Sequence, residues 1–171
     1  MRKIIRLFLG IIIFNILFSI TAFANEEMEW GESELLPENV HYSVGYGQIG
    51  RGNYLSSSML NITNEGCGSI GILAGTYCHV PVKKIRMTVY LDCWNEIDQK
   101  WIQVDYYNFI YEHKEGEEDL ITVTESFSVI GLPADCYYRL RSFNCVWPFS
   151  GGSEMQGPMT DGVLITSGPA Y

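Results

Sequence analysis

The chain has 171 residues, with 11 Lys and Arg against 20 Asp and Glu, 18% charged and 13% aromatic. That length suits one domain with appendages, and the aromatic content excludes a wholly disordered chain. Three of the basic residues, Arg2, Lys3 and Arg6, precede an apolar run; without them eight basic and 20 acidic side chains remain, net −12 against −9 for the whole chain. A surface of that sign repels polyphosphates and anionic lipid, which excludes an electrostatic nucleic-acid binder.

The apolar run extends from Leu7 to Ile20, broken once by Asn15, and Thr21-Ala22-Phe23-Ala24 follows it. A positive end, a short apolar segment and a small-residue exit are the order of a secretory signal, which predicts cleavage after Ala24. The alternative is a retained membrane anchor. Fourteen residues at a helical rise cover only about 21 Å, short of a ~30 Å hydrocarbon core. A longer span from Ile4 through Ala24 buries Arg6. No Cys stands near the exit to carry a lipid, and Ser167–Tyr171 has neither an apolar stretch nor a sorting signal. The expectation is a secreted, extracellular protein with no stable membrane span after cleavage.

Export makes Cys67, Cys78, Cys93, Cys136 and Cys145 disulfide candidates before metal or nucleophile candidates. Five is odd, so one is left over unless it pairs between chains. Fifteen two-bridge schemes are open to five cysteines, about three pairings for each one omitted.

Residues 25–58 begin acidic (Glu26, Glu27, Glu29, Glu32, Glu34, Glu38) and turn Gly- and Ser-rich, without a sustained period of 2 or 3.6. They read as an irregular arm or linker. The composition favours a spacer over an arm that packs through Trp30, Tyr42, Tyr46 and Tyr54. Over 59–171 the pattern is strand after strand. Ile70, Ile72 and Ala74 alternate with Ser69, Gly71 and Leu73. Ile85, Met87, Val89 and Leu91 alternate with Arg86, Thr88, Tyr90 and Asp92. Asn95–Lys100 is a polar turn, and Ile102, Val104 and Tyr106 form the return strand of a hairpin. His113–Asp119 is a charged turn around one Gly. Ile121, Val123, Phe127 and Val129 alternate with Thr and Ser, and Cys136, Tyr138 and Leu140 alternate with Tyr137, Arg139 and Arg141. A Gly/Pro-rich loop, Trp147–Gly157, precedes a last strand near Gly162–Thr166. Short strands separated by turn signals, with no apolar helical period, predict an all-β antiparallel β-sandwich.

Two resemblances follow from particular phrases. The hairpin Met87–Trp101, and Gly131-Leu132-Pro133 followed by Cys136-Tyr137-Tyr138-Arg139-Leu140-Arg141, resemble the immunoglobulin and fibronectin-type-III sandwich. In that pattern a Tyr hydroxyl at the corner between sheets bonds back to upstream backbone, a role that falls here on Tyr138. Residues 59–166 also resemble an uncharacterised family of small secreted proteins of Gram-positive bacteria, a domain of unknown function. The matching phrases are Asn61-Ile62-Thr63-Asn64, Gly75-Thr76-Tyr77-Cys78-His79, Lys84–Asp92, Tyr137–Arg141 and Thr160-Asp161-Gly162-Val163. The chain departs from that pattern at Val82-Lys83, where Cys-Asp is usual, and at Asn144, where a His is usual. The family brings no agreed activity. The sandwich resemblance implies that strands 85–93 and 136–145 are antiparallel neighbours, which puts Cys93 near Cys136 and Cys145 near Cys78. The implied scheme is Cys93–Cys136 and Cys78–Cys145, with Cys67 as the free thiol.

Catalytic motifs are missing. Only His41, His79 and His113 can serve as imidazole bases, and no Gly-x-Ser-x-Gly occurs. Cys78 and His79, as strand neighbours, point to opposite faces. No Cys-x-x-Cys spacing offers a zinc site, so neither metal nor cofactor is expected. Glu117-Glu118-Asp119 reads as a solvated turn cluster. Gly66–Gly71 lacks the Lys-Ser/Thr that closes a phosphate loop, and Asn61-Ile62-Thr63 is a three-residue match to a glycan acceptor.

The positive features are few. Tyr137, Arg139 and Arg141 share one strand face and form a basic-aromatic stripe on an acidic chain; the bland alternative is a solvated face with Arg stacked on Tyr or paired to Glu. Trp147 and Phe149 add aromatics to a loop at a sandwich end, where such folds bind ligands, against the alternative that they cap the core. The sequence therefore points to a secreted, non-catalytic module that binds an extracellular partner (wall polymer, glycan or protein) through Tyr137, Arg139, Arg141, Trp147 and Phe149. A self-associating matrix protein comes second. A glycan-processing enzyme, its carboxylates assembled only by the fold, comes third.

Overall fold

A computed structural model describes residues 32–47 and 52–169; the expected leader (residues 1–24) and the first part of the arm lie outside the described residues. The described chain contains nine strands and no helix: β1 (Tyr42–Tyr46), β2 (Leu55–Gly66), β3 (Ser69–Cys78), β4 (Lys84–Asn95), β5 (Lys100–Glu112), β6 (Thr122–Val129), β7 (Cys136–Trp147), β8 (Glu154–Gln156) and β9 (Val163–Ile165). No helix among the described residues is long and apolar enough to cross a membrane.

The strands form two antiparallel sheets, ordered β1-β2-β3-β6 and β5-β4-β7-β8, with β9 also on β7. Period-2 patterning decides which face each strand buries. On β4, Ile85, Met87, Val89 and Leu91 are all fully buried; Ile70, Ile72 and Ala74 of β3 meet the last three from the other sheet, while Ile85 packs in a second cluster with Leu55, Cys78 and Val123. Each such side chain contributes about 1.5–3 kcal/mol on burial, which holds the two sheets face to face as a β-sandwich. The register Cys93↔Tyr138 through Lys84↔Trp147 makes β4 and β7 antiparallel neighbours, as expected. Tyr138 is 1% exposed and its hydroxyl donates to the Pro133 carbonyl oxygen at 2.9 Å, tying the start of β7 to the turn that feeds it.

The last edge of the second sheet is shared. β8 pairs with Asn144–Val146 and β9 with Cys136–Tyr138, so two short strands divide one edge of β7. Gly157-Pro158 separates them, because Pro has no N–H to continue a ladder; the Pro158 carbonyl instead accepts from the Ser142 N–H.

Strand structure begins earlier than the alternation predicts. β1 lies within the expected arm and pairs with β2 through Tyr42↔Thr63 to Tyr46↔Met59. Upstream of it, Leu35 bridges to Gly162 and Leu36 packs on the main core. The alternation of β1 is inverted: Tyr42, Val44 and Tyr46 are exposed, while Ser43, Gly45 and Gly47 face inward. The cause is close approach of backbone. A Cβ on Gly45 would stand 2.0 Å from the Met159 carbonyl oxygen, so only glycine fits there. β8, inside the expected Trp147–Gly157 loop, is likewise too short to announce itself.

All five cysteines are free thiols in this structure. Cys78 and Cys145 stand on different faces. Cys78 is packed with Val82, Ile85 and Val146 between the sheets. Alternation along β7 turns Asn144 and Val146 inward, so Cys145 faces the opposite side of the sheet, between Arg86 of β4 and Met155 of β8. The two share an end of the fold but not a face, and a bond would have to pass through the sheet. Cys93 and Cys136 do share a face, and both pack on the main core. Cys67 is exposed in the β2–β3 turn, with φ at 54°.

Candidate ligand-binding site

The stripe on β7 is real as a face but is committed to internal contacts. Asp92 of β4, 1% exposed at its side chain, accepts from Arg139 Nε at 3.0 Å and from Arg141 Nε at 2.6 Å and Nη2 at 2.9 Å. The register supplies this, because Asp92 lies directly across from Arg139. Both guanidiniums also lie over aromatic rings, Arg139 over Trp101 at 4.6 Å and Arg141 over Tyr90 at 5.2 Å. With side-chain exposures of 12% and 16%, the two Arg lock β4 to β7.

Tyr137 and the Trp147/Phe149 pair lie at opposite ends of β7. At its start, Tyr137 lines a groove of about 450 Å³ with Trp94, Ile97, Ile102, Val104 and the Cys93 and Cys136 thiols. At its end, Trp147 and Phe149 line a cleft of about 650 Å³ with Lys83, Lys84, Glu112 and His113. The five sequence-selected residues thus divide into two ends and a locked middle.

The cleft at the end of β7 carries the more varied chemistry. β4 starts and β5 ends there, since Lys84 pairs with both Glu112 and Trp147 across the sheet. The Lys84 ammonium contacts the Glu112 carboxylate at 2.9 Å and lies 5.7 Å from the centre of the Trp147 ring. The hydrogen bond and charge of Lys84 hold the Glu112 carboxyl below its ordinary pKa. Phe149 is 60% exposed and meets the His113 ring edge-on at 5.4 Å. Gly151 and Gly152 follow with φ of 91° and 80°, a turn that presents Phe149 without covering it. Sequence reading found the aromatics but missed Lys83, Lys84, Glu112 and His113, which stand at two strand ends more than 25 residues apart in sequence order (roughly) and meet only through the β4–β5 register.

One edge of this end is pinned by Glu154. Its carboxylate accepts from the backbone N–H groups of Asn53, Tyr54 and Leu55 at 2.8, 2.9 and 2.8 Å, joining β8 to the start of β2. Burial alone would raise its pKa, but these three donors, with His79 nearby, leave it below the ordinary value. Cys78 is affected the other way: burial, and then the Glu154 charge, push its thiol up to about 11. A nucleophilic thiol needs the reverse shift.

Of the positions singled out by the resemblance, Lys83 is exposed at the cleft while Val82 and Asn144 are interior. Val82 is fully buried. Asn144 accepts from the Thr76 hydroxyl at 2.8 Å and donates to the Ser142 hydroxyl at 2.6 Å, a satisfied polar crossing between the sheets. Among the described residues no three His, Cys, Asp or Glu side chains gather as a metal site. Set against family models, curated proteins and solved structures, the chain matches none.

Proposed function

We propose that the protein is an exported, non-catalytic β-sandwich module that binds an extracellular polymer, glycan or protein through the cleft at the end of β7. The observation that carries the reading is the cleft itself. An exposed aromatic ring, a second ring beside an ammonium, an ion pair and an imidazole converge on about 650 Å³ at a loop-bearing end of the sandwich. Aromatic faces give apolar contact area to a sugar ring or side chain, while Lys, Glu and His supply directed hydrogen bonds. The charge of Lys84 favours the ionised form of Glu112, which suits it as a hydrogen-bond acceptor for a ligand hydroxyl or amide.

The fold is assigned to the fibronectin-III-like branch of sandwiches as part of the same proposal. Strands β2-β3-β6 against β5-β4-β7 with β8 and β9, and the Tyr138 hydroxyl bonded back to Pro133, support it. The leader supports export, and the phrases shared with the secreted Gram-positive family support the same compartment. Self-association through a sheet edge is disfavoured at β5, whose ladder with β4 is broken by a bulge between Leu91 and Asp92 that twists the exposed edge.

The test is retention of the purified protein on insoluble cell-wall polymer, a glycan panel and secreted host proteins. Binding to one of them, lost on Phe149→Ala with the fold intact, supports the reading. Failure to bind any of them counts against it.

A further inference from the structure

The Cys93/Cys136 pair stands apart from the other three cysteines. β4 and β7 run antiparallel with Cys93 opposite Tyr138, so Cys136 is the next same-face residue along β7. Cys93 and Cys136 both pack on the main core and both line the 450 Å³ groove, and neither is fully buried. The two side chains thus project from neighbouring strands onto one face of the sheet, while the Cys93 thiol contacts the Trp94 carbonyl oxygen at 3.7 Å. Cys136 lies two residues beyond the last rung of the β4–β7 ladder, where β7 is paired with Ile165 of β9.

We propose that Cys93 and Cys136 form a single intramolecular disulfide on oxidation, and that Cys67, Cys78 and Cys145 stay as thiols. Same-face cysteines one diagonal step apart on neighbouring strands reach a sulfur separation of about 2.05 Å by side-chain rotation together with a small shift at the start of β7, beyond its ladder with β4. The oxidant is a small-molecule disulfide. One Cys thiolate attacks it, forming a mixed disulfide and releasing one thiol. The second Cys thiolate then displaces the other half, so two electrons pass to the oxidant and two small thiols leave. The groove gives such a reagent access. Cys78 and Cys145 are buried on opposite faces of a sheet and have no such route. Cys67 is the competitor to exclude, because its turn lies at the same end: the Cys67 N–H donates to Gly168 and the Gly68 carbonyl accepts from Leu132.

The bridge would staple β4 to β7 beside the Tyr138–Pro133 corner, at the end opposite the proposed ligand cleft. The inference therefore stands whether or not that cleft binds anything.

The experiment oxidises the purified full chain with oxidised glutathione, alkylates it in denaturant, and reads intact mass and peptide maps. The expected result is one bridge, Cys93–Cys136, with three alkylated thiols. Cys67→Ser should keep the bridge, and either Cys93→Ser or Cys136→Ser should abolish it. Reductant should lower the melting temperature of oxidised wild type and leave the Cys93→Ala/Cys136→Ala double variant unmoved. A bridge to Cys67, Cys78 or Cys145, or alkylation of both Cys93 and Cys136 after oxidation, overturns the proposal.

Discussion

Asp92 shows how a single buried charge sets the use of its neighbours. It holds two guanidiniums at once, with 1% of its side chain exposed. Removing one partner of a buried pair leaves an uncompensated charge, and the cost exceeds what the pair gains over an apolar replacement. Asp92→Ala should therefore destabilise the fold by about 3–5 kcal/mol. Replacing all three charges with apolar residues of similar size should recover most of that loss. Urea unfolding of the two variants compares them directly; a neutral Asp92→Ala would mean that the stripe is not locked.

Glu154 makes stability depend on pH in a definite direction. Burial opposes its ionisation, yet the N–H donors of Leu55, Tyr54 and Asn53 outweigh it and leave the folded pKa lowered. A group depressed on folding stabilises the fold fully above its unfolded pKa, about 4.3 for Glu. That contribution disappears as pH falls through the lower folded value. Chemical denaturation of wild type and Glu154→Gln should thus show a difference near neutral pH that shrinks in acid. A difference that grows in acid would reverse the sign and refute the assignment.

At the scale of elements, β1 is held by what it lacks. Its inward positions are Ser43, Gly45 and Gly47, and the chain around Met159 fills the space a side chain would need. Gly45→Ala should cost about 1–3 kcal/mol through overpacking against backbone that cannot yield. Thermal melts of this variant measure the cost; an unchanged melting temperature would show that β1 is only loosely docked.

This strand also marks where sequence reading stops. β3, β4, β6 and β7 were legible because apolar residues recur at every second position over at least three positions in β3, β4 and β7 and at both ends of β6, and the turns at 95–100 and 113–119 are polar. β1 and β8 are short, and β1 is inverted, so neither carries that signal. Faces were legible for the same reason that strands were: Tyr137, Arg139 and Arg141 do lie together. Their partner was not, because pairing Asp92 with Arg139 depends on a register between strands about 45 residues apart, which no local period encodes. The same limit explains Lys84 and Glu112. For Cys78 and Cys145 the shared end was readable, whereas the face of each thiol follows from the one-residue alternation along β3 and β7.

Over the whole molecule, the sandwich separates its ends from its middle. The middle is closed by the buried rows of β3, β4 and β7 and by the Asp92 contacts. One end holds the thiol-lined groove, and the other the cleft around Phe149. The proposed recognition falls at the second end and the proposed staple at the first.

The measurement that tests the central claim most directly is quantitative binding of the purified protein to isolated cell-wall polymer, glycans and secreted proteins. Wild type, Phe149→Ala and Asp92→Asn are compared in the same assay. The account predicts that a ligand retained by wild type is lost by at least tenfold in Phe149→Ala, while any correctly folded Asp92→Asn keeps its affinity. Binding that survives Phe149→Ala and vanishes with Asp92→Asn would place recognition on the middle of β7 and contradict the assignment.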